Sequence, residues 1–296
     1  GATSGLATVQ GGPRGVALTL TQADWEIPDG HFYTQTVRQP SEAGKLGYGV
    51  VNADGLPFWD EYQRLGGPDV VGYPLSNRFF WQGYVVQVFQ RGVFHAWPGT
   101  SEVRLLDVLD ELSRQGKDPW LLETYGVPQP LPADFDRGRR PEEVRQARLQ
   151  LLDAAPQIKA HYEQLPNADR LLGLPTSRVE DVGDALAVRF QRGVLWMWQQ
   201  DTVRGRGGEV VLLNVGEIAI AAGLFPQEHL EPEEAPALPP FVLEDATARQ
   251  DAPTAAEGGG AAPEATPAAQ PTPAPTPAAA QEQRPQRVRV AKRTER

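Results

Sequence analysis

The sequence predicts a mixed α+β fold: two tandem helix/β-hairpin/helix modules packed together, then a disordered Ala/Pro-rich C-terminal tail. Three observations predict it. The stretch Phe89-Gln90-Arg91-Gly92-Val93 returns as Phe190-Gln191-Arg192-Gly193-Val194. Helix-face and strand-like patterns alternate around both copies. Composition then changes sharply after Pro226.

The repeat reaches well beyond five residues. Tyr62 precedes "GYPLS" (72–76), Tyr162 precedes "GLPTS" (173–177), and Trp97 matches Trp198. The offset stays at 101 from the Gly-x-Pro element through the tryptophan. "LLDVLDELSRQG" (105–116) then matches "LLNVGEIAIAAG" (212–223) at an offset of 107, so the second copy carries six extra residues in "QDTVRGRGGE". Shared order and spacing, with the insertion in a polar glycine-rich loop, is what a duplication leaves.

Residues 1–30 read as a strand-like extension and 31–130 as the first module. Residues 131–226 read as linker helices with the second module, and 227–296 as the tail. In "GLPFWDEYQRLGG", Pro57 suits a first helical position, Asp60 and Glu61 suit the first turns, and Gly66-Gly67 suit the end. Phe58, Tyr62 and Leu65 then share one helix face. "GYPLS" reads as a turn or extended entry, because the residue before proline is pushed away from helix. "YVVQVFQRGVFHAW" is rich in β-branched and aromatic residues and reads as strand, with Gly83 in the turn before it. Gly92 and Gly193 are expected to mark a bulge or a close backbone approach.

"SEVRLLDVLDELSRQG" reads as a short strand running into a helix that ends near Gly116. Pro141, followed by two glutamates, is a good helix start. Val144, Leu151, Ile158 and Leu165 recur every seven residues, and Pro156 should split the segment into two helices. Each module is near the lower size for a stable core, so the two should pack together.

The tail turns acidic and proline-bearing after Pro226, then becomes almost wholly Ala, Pro, Thr, Gly and Glu. Such a segment lacks apolar side chains to offset its ordering entropy and should be disordered. The end, "RPQRVRVAKRTER", is cationic on a chain of formal charge -10. It reads either as a solvated tail or as a docking site for anionic polymer or lipid headgroups.

The acidic balance argues against a general nucleic-acid binder, which needs a concentrated cationic surface. Cysteine is absent, which excludes disulfides and thiolate chemistry. No run approaches the roughly 18 apolar residues of a transmembrane helix. The chain starts at Gly1, as expected of an exported chain whose signal has been removed or of an engineered start.

"LLGLPTSRVEDVGDALAVRFQRGVLWMW" (171–198) carries LG-x-P-[TS], a glycine-containing turn and F-x-x-G-x-[LI]-x-W. This resembles the LGFP repeat of bacterial cell-envelope proteins. The first copy departs from the pattern, with "VGYPLS" for "LGLPTS" and "FHAW" for "LWMW". The longer stretches "FWDEYQRLGGPDVVGYPLS" and "VVQVFQRGVF" are similar to modules repeated in secreted proteins of filamentous thermophilic bacteria. The resemblance covers about 31–226 and implies a non-catalytic, exported, extracellular protein that associates with wall glycan or a surface protein.

The residues themselves carry little sign of catalysis. There is no G-x-S-x-G, H-E-x-x-H, P-loop or G-x-G-x-x-G. "DFDRG" (134–138) faintly resembles a calcium loop, but its glycine comes one position early and Arg145 stands where the last acidic ligand belongs. Asp107 with Asp110, or Glu180 with Asp181, are acid/base candidates on paper, yet Asp107 is Asn214 in the other copy. No enzyme, cofactor or metal is therefore expected.

Binding has more support. All seven tryptophans fall in the globular part: Trp25, Trp59, Trp81, Trp97, Trp120, Trp196 and Trp198. Sugar rings stack C–H faces on aromatic rings while their hydroxyls seek amide, carboxylate or guanidinium partners. Trp97 and Trp198, shared by both copies, are expected in the core, whereas Trp81 and Trp196 lack aromatic counterparts and are expected to face a ligand. With them stand Gln90, Arg91, His95, Gln191 and Arg192, although structural hydrogen bonds or stacking on tryptophan compete for both arginines. Two functions follow: a wall-polymer-binding envelope protein, or an adaptor subunit of a surface protein assembly.

Overall fold

Among residues 23–37 and 46–236, which the computed structural model describes, three antiparallel sheets are joined by short helices. The Ala/Pro-rich segment and the basic end lie outside the described residues. No helix of the described residues is long and apolar enough to cross a membrane.

The first sheet is a meander of β1 (Asp24–Ile27), β2 (Gly30–Tyr33) and β3 (Leu46–Ala53). Its first turn places Asp29 at φ 59°, a left-handed position that aspartate tolerates. The β1–β2 pairing runs straight across the module boundary expected at residue 30. The two-residue β4 (Leu56–Pro57) folds back on β3 and leads into α1 (Phe58–Arg64) and α2 (Gly67–Val70). Phe58, Tyr62 and Leu65 are all buried, so the i, i+4, i+7 face is the one that meets the core.

The second sheet runs β5 (Phe79–Trp81), β6 (Tyr84–Phe89), β7 (Gly92–Ala96) and β8 (Arg104–Leu105), followed by α3 (Val108–Arg114) and α4 (Asp118–Tyr125). Next come α5 (Pro141–Gln150) and α6 (Pro156–Gln164), divided at Pro156 after a single 3-10 turn, and the short α7 (Ala168–Leu171). The third sheet is β9 (Glu180–Asp181), β10 (Ala185–Arg189), β11 (Val194–Trp198) and β12 (Val210–Leu212). It leads into α8 (Val215–Ala221), and β13 (Glu233–Glu234) closes on β3.

The shared Gln-Arg-Gly stretch is not the middle of one strand. Phe89 pairs with Gly92 and Arg189 with Val194, so the Gln-Arg dipeptide is the turn between two strands. The ladders run in unbroken register on either side, which replaces the expected bulge. A Cβ on Gly92 would stand 2.8 Å from Leu105 Cδ2, so a neighbouring side chain makes the close approach. Neither Gln90 nor Arg91 has positive φ, whereas two-residue hairpins prefer turns that do. An unprimed turn splays its strands and needs outside support.

That support comes from the Gly-x-Pro segment. Gln90 N–H donates to Tyr73 O, Tyr73 N–H donates back to Gln90 Oε1, and Arg91 N–H donates to Val71 O. Leu75 N–H reaches Val88 O, and Val88 N–H reaches Ser76 Oγ. The other hairpin repeats the set with Gln191, Leu174, Arg192, Leu172, Thr176, Arg189 and Ser177. Gly72 and Gly173 lie at φ 82° and 74° in these latches, where a Cβ would run into the glutamine side chain. Tyr62 and Tyr162 hydroxyls donate to Gly72 O and Gly173 O, and both rings stack on the hairpin phenylalanines, Phe89 and Phe190.

The two hairpins do not keep separate cores. One buried cluster holds Tyr62, Phe89 and Phe94 with Tyr162, Phe190 and Leu195. The other holds Val86, Val88 and Val93 with Val194, Val215 and Ile218. Each sheet is thus covered on both faces, with the successive residues Val88 and Phe89 going to opposite clusters. The helices also exchange. Gly216 N–H of α8 donates to Gln90 O in the first hairpin's turn, and a Cβ there would fall on the Phe89 carbonyl.

In the mirror position stands Leu109 of α3, and the strand residue equivalent to Val88 is Arg189. Arg189 is fully buried, at 0 % exposure. Its guanidinium donates to Leu109 O at 2.7 Å, Ser113 Oγ at 2.6 Å and Asp118 Oδ1 at 2.7 Å. A buried arginine is tolerable only with such compensation.

Two expectations fail at the chain's far end. Trp81 is 9 % exposed rather than ligand-facing, because Phe225 packs edge-on against its ring at 5.2 Å. Residues 227–236 were expected in the disordered tail, yet Tyr48 OH donates to Leu230 O and β13 pairs with β3. His229 stacks on Phe79 at 4.9 Å, so aromatic contacts carry the fold ten residues past Pro226.

Candidate functional site

The expected site residues do not converge. Gln90 and Arg91 form one hairpin turn, and Gln191 and Arg192 the other. Arg91 Nη1 donates to Asp69 O and Arg192 Nη1 to Asp169 O, each at 3.0 Å. Arg192 Nε also lies 2.9 Å from Asp107 Oδ1. Both arginines are therefore committed to holding loops. Trp196 is partly buried against the second cluster, and its indole N–H donates to Gly126 O at 3.3 Å. Of the seven, His95 lines an open cleft.

That cleft has a volume of about 390 Å³ and lies at the far end of the first hairpin from the Gln-Arg turn. Tyr84, His95, Ala96, Trp97, Thr100, Glu102 and Arg104 surround it. Trp97 was expected in the core but is 55 % exposed. Tyr84 opens β6 and Trp97 follows β7, so they face each other one step beyond the last ladder pair, Val85 with Ala96. Their ring centroids are 4.2 Å apart at an interplanar angle of 44°. His95 lies 4.9 Å from Tyr84.

A local motif keeps Trp97 open. In Trp97-Pro98-Gly99-Thr100, proline precedes a glycine at φ 82°, the pattern of a type II turn. Thr100 N–H and Oγ1 both donate to Trp97 O, at 3.2 and 2.9 Å. The chain therefore turns away at once and leaves the indole face uncovered. Beyond the turn, Arg104 and Glu102 form a two-point pair, Nε to Oε1 and Nη2 to Oε2, both at 2.8 Å. This contact holds the Glu102 carboxyl below its ordinary range and raises the guanidinium.

Burial lowers the His95 pKa, Asp107 opposes that shift, and Arg104 and Arg192 add to it. The imidazole is thus neutral at neutral pH. Its Nδ1 is buried and has no hydrogen-bond partner among the described residues. The cleft therefore offers a slanted aromatic pair, a neutral imidazole and an exposed carboxylate–guanidinium rim. That set is suited to holding a flat, hydroxylated molecule. Among the described residues no group of three or more His, Cys, Asp or Glu side chains is placed to hold a metal ion.

Sequence reasoning missed Tyr84, Trp97, Thr100, Glu102 and Arg104. The signal was present in loop length: Trp97 enters a four-residue turn, whereas Trp198 enters the loop with six extra residues. The chain matches no model of a known protein family, and no curated protein is similar to it. The site is defined by its own geometry: a hairpin scaffold carrying an open aromatic cleft.

Proposed function

We propose that this is a non-catalytic, exported protein of the bacterial cell envelope, built on two duplicated LGFP-like modules, which binds a wall polymer. The observation that carries the reading is Trp97, exposed over Tyr84 beside the Glu102–Arg104 pair. Matching latches at Gln90 and Gln191 support the duplication, since the same donors meet the same acceptors around both turns. They also support a scaffold role for Gln-Arg and move function to the opposite end of the hairpin.

Asp107 supports a non-catalytic role, because it is paired to Arg192 and its counterpart is Asn214. The direct test is retention on purified bacterial wall sacculi. The unaltered chain is expected to sediment with them and Trp97→Ala to stay in solution. Equal retention of the two, or none for either, defeats the reading. One feature favours the surface-assembly alternative: Phe80 is 63 % exposed on β5, an edge strand. Under that alternative, cross-linking on intact cells yields a protein partner that Phe80→Ser abolishes.

A further inference from the structure

We propose that the Tyr84–Trp97 cleft holds one uncharged pyranose ring per chain, and that the equivalent end of the second hairpin holds none. This rests on the wall-polymer reading and names the sugar site within it.

The chemistry follows from the lining. A pyranose has an apolar C–H face and a perimeter of hydroxyls, so its binding site needs a flat aromatic floor and polar groups at the edge. Trp97 supplies the floor, and Tyr84, tilted at 44°, makes the side wall. The rim supplies the rest. Glu102 and Arg104 use two contacts on each other and keep lone pairs and N–H groups for hydroxyls. Because the pair is self-neutralised, it favours a neutral ligand over a phosphate or an ammonium group.

His95, 4.9 Å from Tyr84, adds a neutral imidazole edge to the lining, which adds no charge to the site. The Pro98–Gly99 turn holds this arrangement before any ligand arrives, which reduces the ordering cost of binding.

The second hairpin keeps a glutamate, Glu209, in place of Glu102, where it accepts from Arg206 N–H, but lacks the other features. Ala185 stands for Tyr84, Trp196 for His95 and Val211 for Arg104. Trp198, the counterpart of Trp97, is 6 % exposed, because Gly205 of the longer loop sits directly against its indole. The chain is therefore monovalent for sugar despite its two similar halves.

Calorimetric titration of the full chain with chitotriose and cellotriose tests this, with a proline-rich peptide as a competitor for aromatic grooves. One trimer is expected per chain, with an affinity insensitive to added salt. Trp97→Ala should weaken binding about tenfold or more, as loss of a central aromatic contact does. Arg104→Met, an exposed change that leaves the rings in place, should also weaken it. Trp198→Ala should shift it less than about twofold.

Two trimers per chain, equal loss from Trp97→Ala and Trp198→Ala, or binding of the peptide alone would overturn the proposal. Trimers held at Trp97 without retention on sacculi would sink the wall reading and leave the sugar site standing. Retention on sacculi with no trimer bound would do the reverse.

Discussion

Trp97 and Trp198 end the two hairpins at equivalent positions, yet one is 55 % exposed and the other 6 %. The strands do not make that difference, since both ladders have the same register and both turns the same latch. The loop after the tryptophan makes it. Trp97 passes into a tight Pro-Gly turn, whereas the chain after Trp198 goes out and returns, with Gly208 N–H donating to Trp198 O and Trp198 N–H to Glu209 O. Six extra residues are enough to bring Gly205 over the indole. One framework therefore presents an aromatic face or hides it according to a surface loop, which is where variation is cheapest.

The inner faces differ as well, and there the largest effect is expected. Arg189 replaces an apolar Val88, and Asp118 compensates its charge. Asp118→Ala should cost about 3 kcal/mol in urea denaturation by leaving a buried guanidinium uncompensated. Arg189→Met, which removes the charge and keeps bulk, should cost less. A smaller loss from Asp118→Ala than from Arg189→Met would mean the second hairpin depends on arginine packing rather than on the pair.

Next in size is Gly216→Ala, which places a Cβ against the Phe89 carbonyl and should cost about 2 kcal/mol. The mirror position already carries Leu109, so only the α8 side of the comparison requires a glycine. A neutral Gly216→Ala would show that α8 can move away from the hairpin as α3 does.

Deleting 201–206 should cost on the order of 1–2 kcal/mol, because uncovering the Trp198 indole outweighs the gain from a shorter surface loop. It should also open Trp198 to acrylamide quenching. A tryptophan still shielded after the deletion would locate its cover elsewhere.

The smallest effect concerns pH. His95 titrates in the first hairpin, where the second has Trp196. Its folded pKa is lowered by burial, so the unfolded chain binds the proton more readily. Its contribution is fully present above the ordinary histidine value of about 6.5 and is lost as pH falls below it. His161 is shifted in the same direction by burial. His95→Gln should flatten the acid side of a stability–pH curve without abolishing its slope.

Much of the framework was legible from local pattern. The face of Phe58, Tyr62 and Leu65, the break at Pro156 and the strands around Gln-Arg-Gly all follow from periodicity and from proline's missing N–H. The turn at Gln-Arg is hidden in the sequence because Phe-Gln-Arg-Gly-Val reads as one continuous strand. What makes it a turn is a set of partners some seventeen residues upstream, such as Tyr73 for Gln90. Exposure was hardest to read. A tryptophan shared between the copies points to the core, and one lacking a counterpart points to the surface. Trp97 and Trp81 reverse both assignments.

By itself the amino-acid order determined the α+β class, the buried face of Phe58, Tyr62 and Leu65, the break at Pro156 and the length difference between the loops. These are local or repeated features, and short-range sterics and hydrophobic periodicity suffice to set them. Tertiary structure alone decided that α3 and α8 each support the opposite hairpin, that Phe225 covers Trp81, and that Tyr84 and Trp97 open into a cleft with Glu102 and Arg104. Burial is a property of what else arrives at a surface. A residue's own neighbours in sequence carry no record of a segment that returns from more than a hundred positions away.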